Sequence, residues 1–285
     1  MKKILITGAN SYIGTSFEKY IKSFEGYTVD TVDMIDGTWR EKDFSEYDVV
    51  FHVAGIAHAD IGNVSEEIKQ RYYAVNTDLT VETANKAKKD NVSQFIFMSS
   101  IIVYGSENAV ITSETEPTPD NFYGDSKLQA DMKIHKLQDD KFKVVSVRPP
   151  MIYGRGSKGN YPKLARLASK IPIFVDCKNQ RSMLHIENLC EFLRLIVEYS
   201  ESGYFYPQNR EYVSTSELVK TVASVKGKKM FFIPFPEFLI RLMSKKTKLL
   251  NKLFGSLVYE KSMSDYGEWK YCINDFEESI RKTEI

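Results

Sequence analysis

The chain is poor in cysteine, has almost no net charge and lacks any long apolar run. Its three cysteines, Cys177, Cys190 and Cys272, are odd in number and show no Cys-x-x-Cys spacing. This argues against a disulfide framework and against a zinc site. Lys plus Arg (39) nearly balances Asp plus Glu (38), so no strong field would attract nucleic acid. These absences predict a partner that is a small molecule, with no bound metal.

No apolar run is long enough to span a bilayer, and the first seven residues form a short β-rich segment rather than a signal sequence. Residues 238–257 mix apolar and basic side chains, as an interfacial helix does. A helix with one packed face is the simpler interpretation. We therefore expect a cytoplasmic protein without a transmembrane segment.

Apolar, β-branched runs alternate with stretches of helical periodicity as far as Pro150. The predicted strands are residues 3–7, 27–32, 48–53, 94–98 and 143–147. The predicted helices are residues 14–23, 65–89 and 123–137. Because a β-α-β-α order implies a parallel sheet with helices on both faces, we predict a doubly wound, Rossmann-like α/β fold.

Beyond residue 150 the alternation of strands and helices becomes less regular, which predicts a smaller, mixed α/β lobe. Ser214 followed by Glu217 forms a capping box that predicts one further helix. The other elements predicted here are helices over residues 162–169 and 187–199 and strands near residues 172–175 and 204–206. We expect residues 1–150 to form the first domain, to which later segments are free to return, and residues 151–285 to form mainly the smaller lobe.

A glycine-containing loop follows the first strand and opens the first helix. At such a place backbone N–H groups and the helix dipole can hold a pyrophosphate, which predicts a dinucleotide-binding domain. Ser11 stands where the Gly-x-x-Gly-x-x-Gly form has its middle glycine, so the motif alone is weak evidence. The candidate cofactor contacts in this loop are Gly8, Asn10, Ser11, Tyr12, Ile13 and Gly14.

Asp33 follows the second strand, where a carboxylate can accept hydrogen bonds from the adenine ribose hydroxyls. This favours NAD, while Arg40 and Lys42 leave room for the 2′-phosphate of NADP. The cofactor is therefore predicted as NAD or NADP, with NAD favoured. After the third strand, Gly55 would let the cofactor pass close to the backbone.

Two segments supply groups suited to proton transfer. Tyr123 and Lys127 lie at i and i+4 on one helix face, where the cation can lower the pKa of the phenol. Such a phenol can exchange a proton with a sugar oxygen while hydride moves to or from the nicotinamide. Ser100 emerges at the carboxyl end of a predicted strand, where α/β sheets bind ligands, and can hydrogen-bond the reacting oxygen.

Taken in order, these motifs resemble the extended short-chain dehydrogenases and reductases, specifically the NAD-dependent epimerase/dehydratase family of nucleotide-sugar enzymes. The resemblance rests on Gly8 to Gly14, Ala54-Gly55, Asn76, Ser99-Ser100, Tyr123 with Lys127, and Arg148 to Gly154. It implies that Ser100, Tyr123 and Lys127 are the catalytic residues. It also implies cofactor contacts at Ala54, Gly55, Asn76, Pro150, Met151 and Ile152.

The resemblance also bears on the reaction. Dehydratases of this family carry an Asp-Glu pair directly after the catalytic hydroxyl residue, because eliminating water needs additional acid and base groups. Here Ile101 and Ile102 occupy those places, which disfavours dehydration and leaves hydride exchange at a carbinol or ketone. By resemblance, Arg181 would hold the diphosphate of a UDP-sugar, Asn160 would approach the nucleotide, and Phe174 would stack on the uracil.

Several segments are most similar to 4-keto-sugar reductases of bacterial capsule and O-antigen pathways. That similarity predicts reduction of a UDP-4-keto-6-deoxy-N-acetylhexosamine at C4. A UDP-hexose or UDP-N-acetylhexosamine 4-epimerase would use the same residues, and a catalytically silent nucleotide-binding regulator or scaffold is a third alternative. Helices flanking such sheets often pair, so a homodimer is also expected.

Overall fold

The computed structural model describes residues 1–57, 64–234 and 254–285. The strands are β1 (Lys2–Thr7), β2 (Tyr27–Val32), β3 (Val49–His52), β4 (Gln94–Met98), β5 (Val110–Ile111), β6 (Lys143–Val147), β7 (Met151–Tyr153), β8 (Ile173–Asp176), β9 (Met183–His185), β10 (Gly203–Phe205), β11 (Phe231–Pro234) and β12 (Val258–Tyr259). The helices are α1 (Tyr12–Ile21), α2 (Glu66–Tyr73), α3 (Leu79–Lys89), α4 (Phe122–His135), α5 (Asn160–Lys170), α6 (Ile186–Tyr199), α7 (Thr215–Val225) and α8 (Phe276–Glu284).

Six strands form one parallel sheet in the order β10-β6-β4-β3-β1-β2. The central strands β3 and β4 are buried along their whole length, which explains their continuous apolar character. The predicted doubly wound α/β fold is therefore confirmed. The strand order reverses between β1 and β3, so a ligand-binding crevice is expected at the carboxyl ends of these two strands.

Helices cover both faces of this sheet. On one face, Phe17 of α1 and Phe192 of α6 belong to a core that includes Ile96 of β4. On the other face, Ala84 of α3 and Ala130 of α4 pack in a second core. The predicted helix over residues 65–89 is α2 and α3, joined by a π-helical segment, Ala74–Asp78.

The strand predicted near residues 204–206 lies in the main sheet, where β10 pairs with β6 at the edge. Such a return of a later segment is a possibility that the sequence leaves open. The reason for the return is the long amphipathic helix α6, which packs beside α1 and returns the chain to the sheet. The division of the chain at residue 150 stays a prediction.

The smaller lobe is built from α5, α7 and α8 around its own core, which contains Tyr153, Val219 and Ile280. Two short parallel pairs, β7 with β9 and β8 with β11, border it. The capping box of Ser214 and Glu217 begins α7 as predicted.

Most of the basic and apolar segment 238–257 lies outside the described residues. No helix within the described ranges is long and apolar enough to cross a bilayer.

Candidate functional site

The loop between β1 and α1 allows close approach of the backbone. Gly8 has a φ of +94°, and a Cβ atom there would lie 2.7 Å from the backbone nitrogen of Ala54, so only glycine fits. Asn10 is also left-handed, with φ +66°. Ser11 is the N-cap of α1 and accepts a 3.1 Å hydrogen bond from the Gly14 N–H. The residue that departs from the all-glycine motif therefore caps the helix.

The first turn of α1 lies at the point where the strand order reverses. Backbone N–H groups of a first turn, here including Tyr12 and Ile13, have no intrahelical acceptor and can bind an anion together with the helix dipole. The Tyr12 side chain lies against Gly154, where a Cβ atom would come within 2.6 Å of the phenol oxygen. Ile13 packs against the main core. The residues present fit the diphosphate of a dinucleotide.

Asp33 lies beside this loop, directly after β2. The N–H groups of Gly8 and Ala9 both donate to the carbonyl of Val32, at 3.0 and 3.2 Å, which joins the loop to the end of β2. The Asp33 Oδ1 atom accepts a 2.8 Å hydrogen bond from the Ile35 N–H, and this turn orients the half-buried carboxylate. Its placement suits the predicted contact with a ribose hydroxyl.

Asn76 links the segment after β3 to α4. It lies in the π-helical segment, where its Oδ1 accepts a 2.8 Å hydrogen bond from the Ile56 N–H and its Nδ2 donates to the Ser126 hydroxyl at 3.1 Å. A Cβ atom on Gly55 would lie 3.0 Å from Asn76 Oδ1 and 3.1 Å from Lys127 Nζ. The structure thus brings these candidate cofactor residues next to the catalytic helix.

The three predicted catalytic side chains lie together at the carboxyl end of β4. The Ser100 hydroxyl lies close enough to the Tyr123 phenol to lower its pKa. Lys127 Nζ donates to the Met98 carbonyl at 2.9 Å, and the Tyr72 ring packs edge-on against Tyr123 with 6.0 Å between ring centroids. Two segments far apart in sequence therefore converge on one point, as the sequence predicts.

Burial controls the charges of this group. It raises the pKa of the Tyr123 phenol to about 12, and the Ser100 hydroxyl opposes this rise only in part. It lowers the pKa of Lys127 to about 8, against the attraction of the Asp131 carboxylate. The structure does not show the predicted lowering of the Tyr123 pKa by Lys127, because the loss of hydration dominates.

A buried ion pair beneath these residues has no counterpart in the sequence-based prediction. Asp131 Oδ2 accepts hydrogen bonds from the Ser99 hydroxyl at 2.8 Å and from Arg148 Nε at 3.0 Å. The Asp131 side chain is fully buried and that of Arg148 is 5% exposed. The Arg148 guanidinium also donates to the Tyr104 phenol at 2.9 Å. The pair ties β4 and β6 to α4. A signal existed, since Asp131 lies one turn after Lys127.

The two residues after Ser100, Ile101 and Ile102, have apolar side chains and apolar surroundings. Ile101 is 9% exposed and packs with Val103 and Tyr259, while Ile102 is half-buried. Neither side chain can move a proton. That the site does not eliminate water stays a prediction.

Pro150, Met151 and Ile152 connect the main sheet to the smaller lobe. Pro150 is buried, and β7 begins at Met151. Met151 packs against the lobe core, whereas Ile152 packs against the main core. Their predicted contact with the nicotinamide stays a prediction.

The three predicted substrate residues lie in the smaller lobe in different environments. Asn160 is exposed at the first position of α5. Arg181 exchanges two backbone hydrogen bonds with Val213 and also bridges to Leu257. Burial lowers the pKa of the Arg181 guanidinium to about 10. Because a charge in such a dehydrated place interacts strongly with an opposite charge, Arg181 suits an anionic ligand.

Phe174 lies in the lobe core instead of on an open surface. Its side chain is 8% exposed and contacts the rings of Phe232 and Phe254, with centroid distances of 6.3 and 6.5 Å. Stacking on a base would require the ring to leave these contacts. Its role in binding uracil stays a prediction.

Across the described ranges, no three His, Cys, Asp or Glu side chains form a group that could hold a metal ion.

Comparison with known proteins identifies similar sequences. The model of the NAD dependent epimerase/dehydratase family matches residues 4–206. A UDP-glucose 4-epimerase of Vibrio cholerae is 30% identical over 284 residues, which cover 90% of this chain and 86% of that protein. An N-acetyl-alpha-D-glucosaminyl-diphospho-ditrans,octacis-undecaprenol 4-epimerase of Escherichia coli O157:H7 is 25% identical over 256 residues, covering 82% and 76% respectively.

A solved structure has the same fold. It is a dTDP-4-dehydrorhamnose reductase from Clostridium acetobutylicum, with a TM-score of 0.72, 19% sequence identity and coverage of 98% of both chains. At this identity the likeness concerns the fold alone. It includes the smaller lobe as well as the parallel sheet.

Proposed function

The chain belongs to the NAD dependent epimerase/dehydratase family, and from this premise we propose that it transfers hydride between a nicotinamide cofactor and C4 of a UDP-linked sugar. Membership confirms the prediction of an NAD(P)-dependent enzyme. The observation that carries the proposal is the convergence of Ser100, Tyr123 and Lys127 beside Gly55, with Ile101 and Ile102 as their neighbours. Such a site can transfer one proton while a hydride moves between the nicotinamide and the sugar. It lacks the further acid and base of a dehydratase.

The roles of the side chains follow from their charges. When bound, NADH or NADPH supplies the hydride. Tyr123, whose pKa near 12 keeps it protonated at neutral pH, donates its proton to O4 of the sugar. Ser100 orients the same oxygen through its hydroxyl, and Lys127 is placed to bind the nicotinamide ribose. Gly8, Asp33 and Asn76 would hold other parts of the cofactor.

The net reaction that we propose is reduction of a UDP-4-keto-6-deoxy-N-acetylhexosamine in capsule or O-antigen biosynthesis. The similarity of several segments to 4-keto-sugar reductases supports it. The second candidate is UDP-hexose or UDP-N-acetylhexosamine 4-epimerization. The identity to the Vibrio cholerae 4-epimerase supports that alternative.

One assay separates the two reactions. The purified protein should receive a UDP-4-keto-6-deoxy-N-acetylhexosamine made in situ by a 4,6-dehydratase, together with NADH or NADPH. A reductase is expected to oxidise one reduced cofactor per sugar, seen as falling absorbance, and to yield a single C4 product. The dehydratase alone is the control. If UDP-glucose or UDP-N-acetylglucosamine is instead interconverted with its C4 epimer without added reductant, while the keto sugar draws no hydride, the epimerase proposal replaces the reductase.

Arg181 is expected to bind the diphosphate of the substrate. Arg181→Ala should raise the KM for the UDP-sugar by roughly 30-fold, because a charge-assisted, bidentate contact contributes about 2 kcal/mol. Arg181→Lys should recover only part of this loss, since an ammonium lacks the planar pair of donors. Steady-state kinetics measures the effect, and unchanged thermal unfolding shows that the lobe is intact. A KM equal to that of the wild type would remove Arg181 from the substrate site.

The surroundings of the enzyme follow from this proposal. A UDP-sugar is the small-molecule partner, and we propose that the reaction takes place in the cytoplasm. A homodimer formed through helices at the flank of the sheet is also proposed. Size-exclusion chromatography with light scattering tests the dimer.

A further inference from the structure

The segment after β2 forms a short turn that ends at Arg40. Asp36 Oδ1 accepts hydrogen bonds from the Thr38 N–H at 3.0 Å and from the Thr38 hydroxyl at 2.7 Å. Gly37 has a φ of +81°, and a Cβ atom there would lie 3.2 Å from Nη1 of Arg40. The Arg40 guanidinium thus lies against the same short loop that begins with Asp33.

Arg40 is held on this loop by two partners. Its Nε and Nη2 atoms donate to the two carboxylate oxygens of Glu82 on α3, the second at 2.6 Å. Its guanidinium also lies over the Trp39 ring, 4.7 Å from the centroid. Trp39 itself is buried among residues of the core that also contains Ala84 of α3. The two hydrogen bonds to Glu82 and the buried Trp39 ring beside the guanidinium keep it in one orientation.

We infer that Glu82 determines cofactor specificity by holding Arg40 and repelling a 2′-phosphate, so that the enzyme selects NAD(H) over NADP(H). This inference rests on the proposed function, since it assumes that the adenine ribose lies beside Asp33. A planar guanidinium is the group best suited to bind a phosphate, and Arg40 lies on the loop that begins with Asp33. Here the Nε and Nη2 donors of Arg40 are occupied by Glu82, whose carboxylate places a negative charge beside the guanidinium.

Other charges near the loop do not replace Arg40. Lys42 Nζ lies over the Tyr47 ring, 5.3 Å from its centroid, and it is a point charge without the planar donors of arginine. Glu41 is exposed, and within the described ranges it forms no ion pair. The Arg40–Glu82 pair is itself exposed, at 51% and 45%, so its loss should change binding without unfolding the protein.

The experiment measures dissociation constants for NADH and NADPH by calorimetry, without any sugar. Glu82→Gln should tighten NADPH binding by about tenfold or more, the value of one charge-assisted contact to phosphate, while NADH binding changes little. Glu41→Gln is the matched control, because it removes the same charge one residue from Arg40. It should leave the ratio of the two affinities unchanged.

A double variant isolates the role of Arg40. In Arg40→Gln/Glu82→Gln the gain for NADPH should disappear, whereas NADH should bind as before. If Glu82→Gln leaves the NADPH to NADH ratio at the wild-type value, or if the double variant keeps the gain, the inference is wrong even though the dinucleotide site is real. If the wild type binds neither dinucleotide, the proposed function fails and this inference with it.

Discussion

Tyr123→Phe is expected to lower kcat by about 10²- to 10⁴-fold, the usual contribution of a positioned proton donor. The substitution removes the phenol hydroxyl, which lies beside Ser100, and keeps the ring that packs against Tyr72. Cofactor affinity should be unchanged, because Gly55, Asn76 and Lys127 retain their contacts. Single-turnover oxidation of NADH or NADPH by the 4-keto sugar measures the loss directly.

A control variant on the same aromatic cluster strengthens this test. Phe122 precedes Tyr123 and also packs edge-on against Tyr72, at 5.0 Å between centroids, but it has no transferable proton. Phe122→Leu should lower kcat far less than Tyr123→Phe. Comparable losses in both variants would indicate a packing role for Tyr123, and near-normal turnover of Tyr123→Phe would exclude it as the proton donor.

Asp131→Ala is expected to lower the free energy of unfolding by about 3–5 kcal/mol, the cost of leaving one member of a buried ion pair without its partner. The pair with Arg148 is almost inaccessible to water, at 0% and 5% exposure. The Ser99 hydroxyl would also lose its acceptor. Urea denaturation followed by circular dichroism measures the change, provided that the slope of the transition is unchanged.

Two further variants define the origin of that loss. Asp131→Leu/Arg148→Met removes both charges, and it should recover much of the stability because an apolar pair of similar size avoids the dehydration penalty. Glu18→Ala breaks an exposed pair with Lys22 on α1 and should cost less than about 1 kcal/mol. An Asp131→Ala variant that unfolds like the Glu18→Ala variant would show that the buried pair contributes little.

The central sheet could be predicted because strands that are buried on both faces appear in the sequence as continuous apolar runs. β2, β4 and β6 have the predicted bounds, and the predicted second and third helices differ from the structure by one or two residues at their ends. The edge of the sheet was harder to predict. β10 is only three residues long, and its place beside β6 depends on the packing of α6 against α1, which no local pattern of residues 203–205 encodes.

The convergence of Ser100, Tyr123 and Lys127 could be predicted because each of their motifs lies at a strand end or at a helix start. The ion pair of Asp131 and Arg148 was missed, because the spacing of Asp131 one turn after Lys127 does not show that it is buried against Arg148 until β6 is placed beside β4. The same holds for Arg40, which the sequence offers as a possible phosphate ligand. Its pairing with Glu82 requires the approach of two segments 42 residues apart.

The sequence by itself therefore determined the parallel α/β fold and the glycine loop, because periodicity and motif spacing are local properties of the chain, and it predicts Ser100, Tyr123 and Lys127 as the catalytic residues. Tertiary structure decided the surroundings of these three side chains and the direction in which the pKa values of two of them shift. Burial raises the pKa of Tyr123 and lowers that of Lys127, packs Phe174 among other rings, and encloses Asp131 with Arg148. Hydration is lost only when distant segments close over a side chain, and the linear order of residues does not record which segments do so.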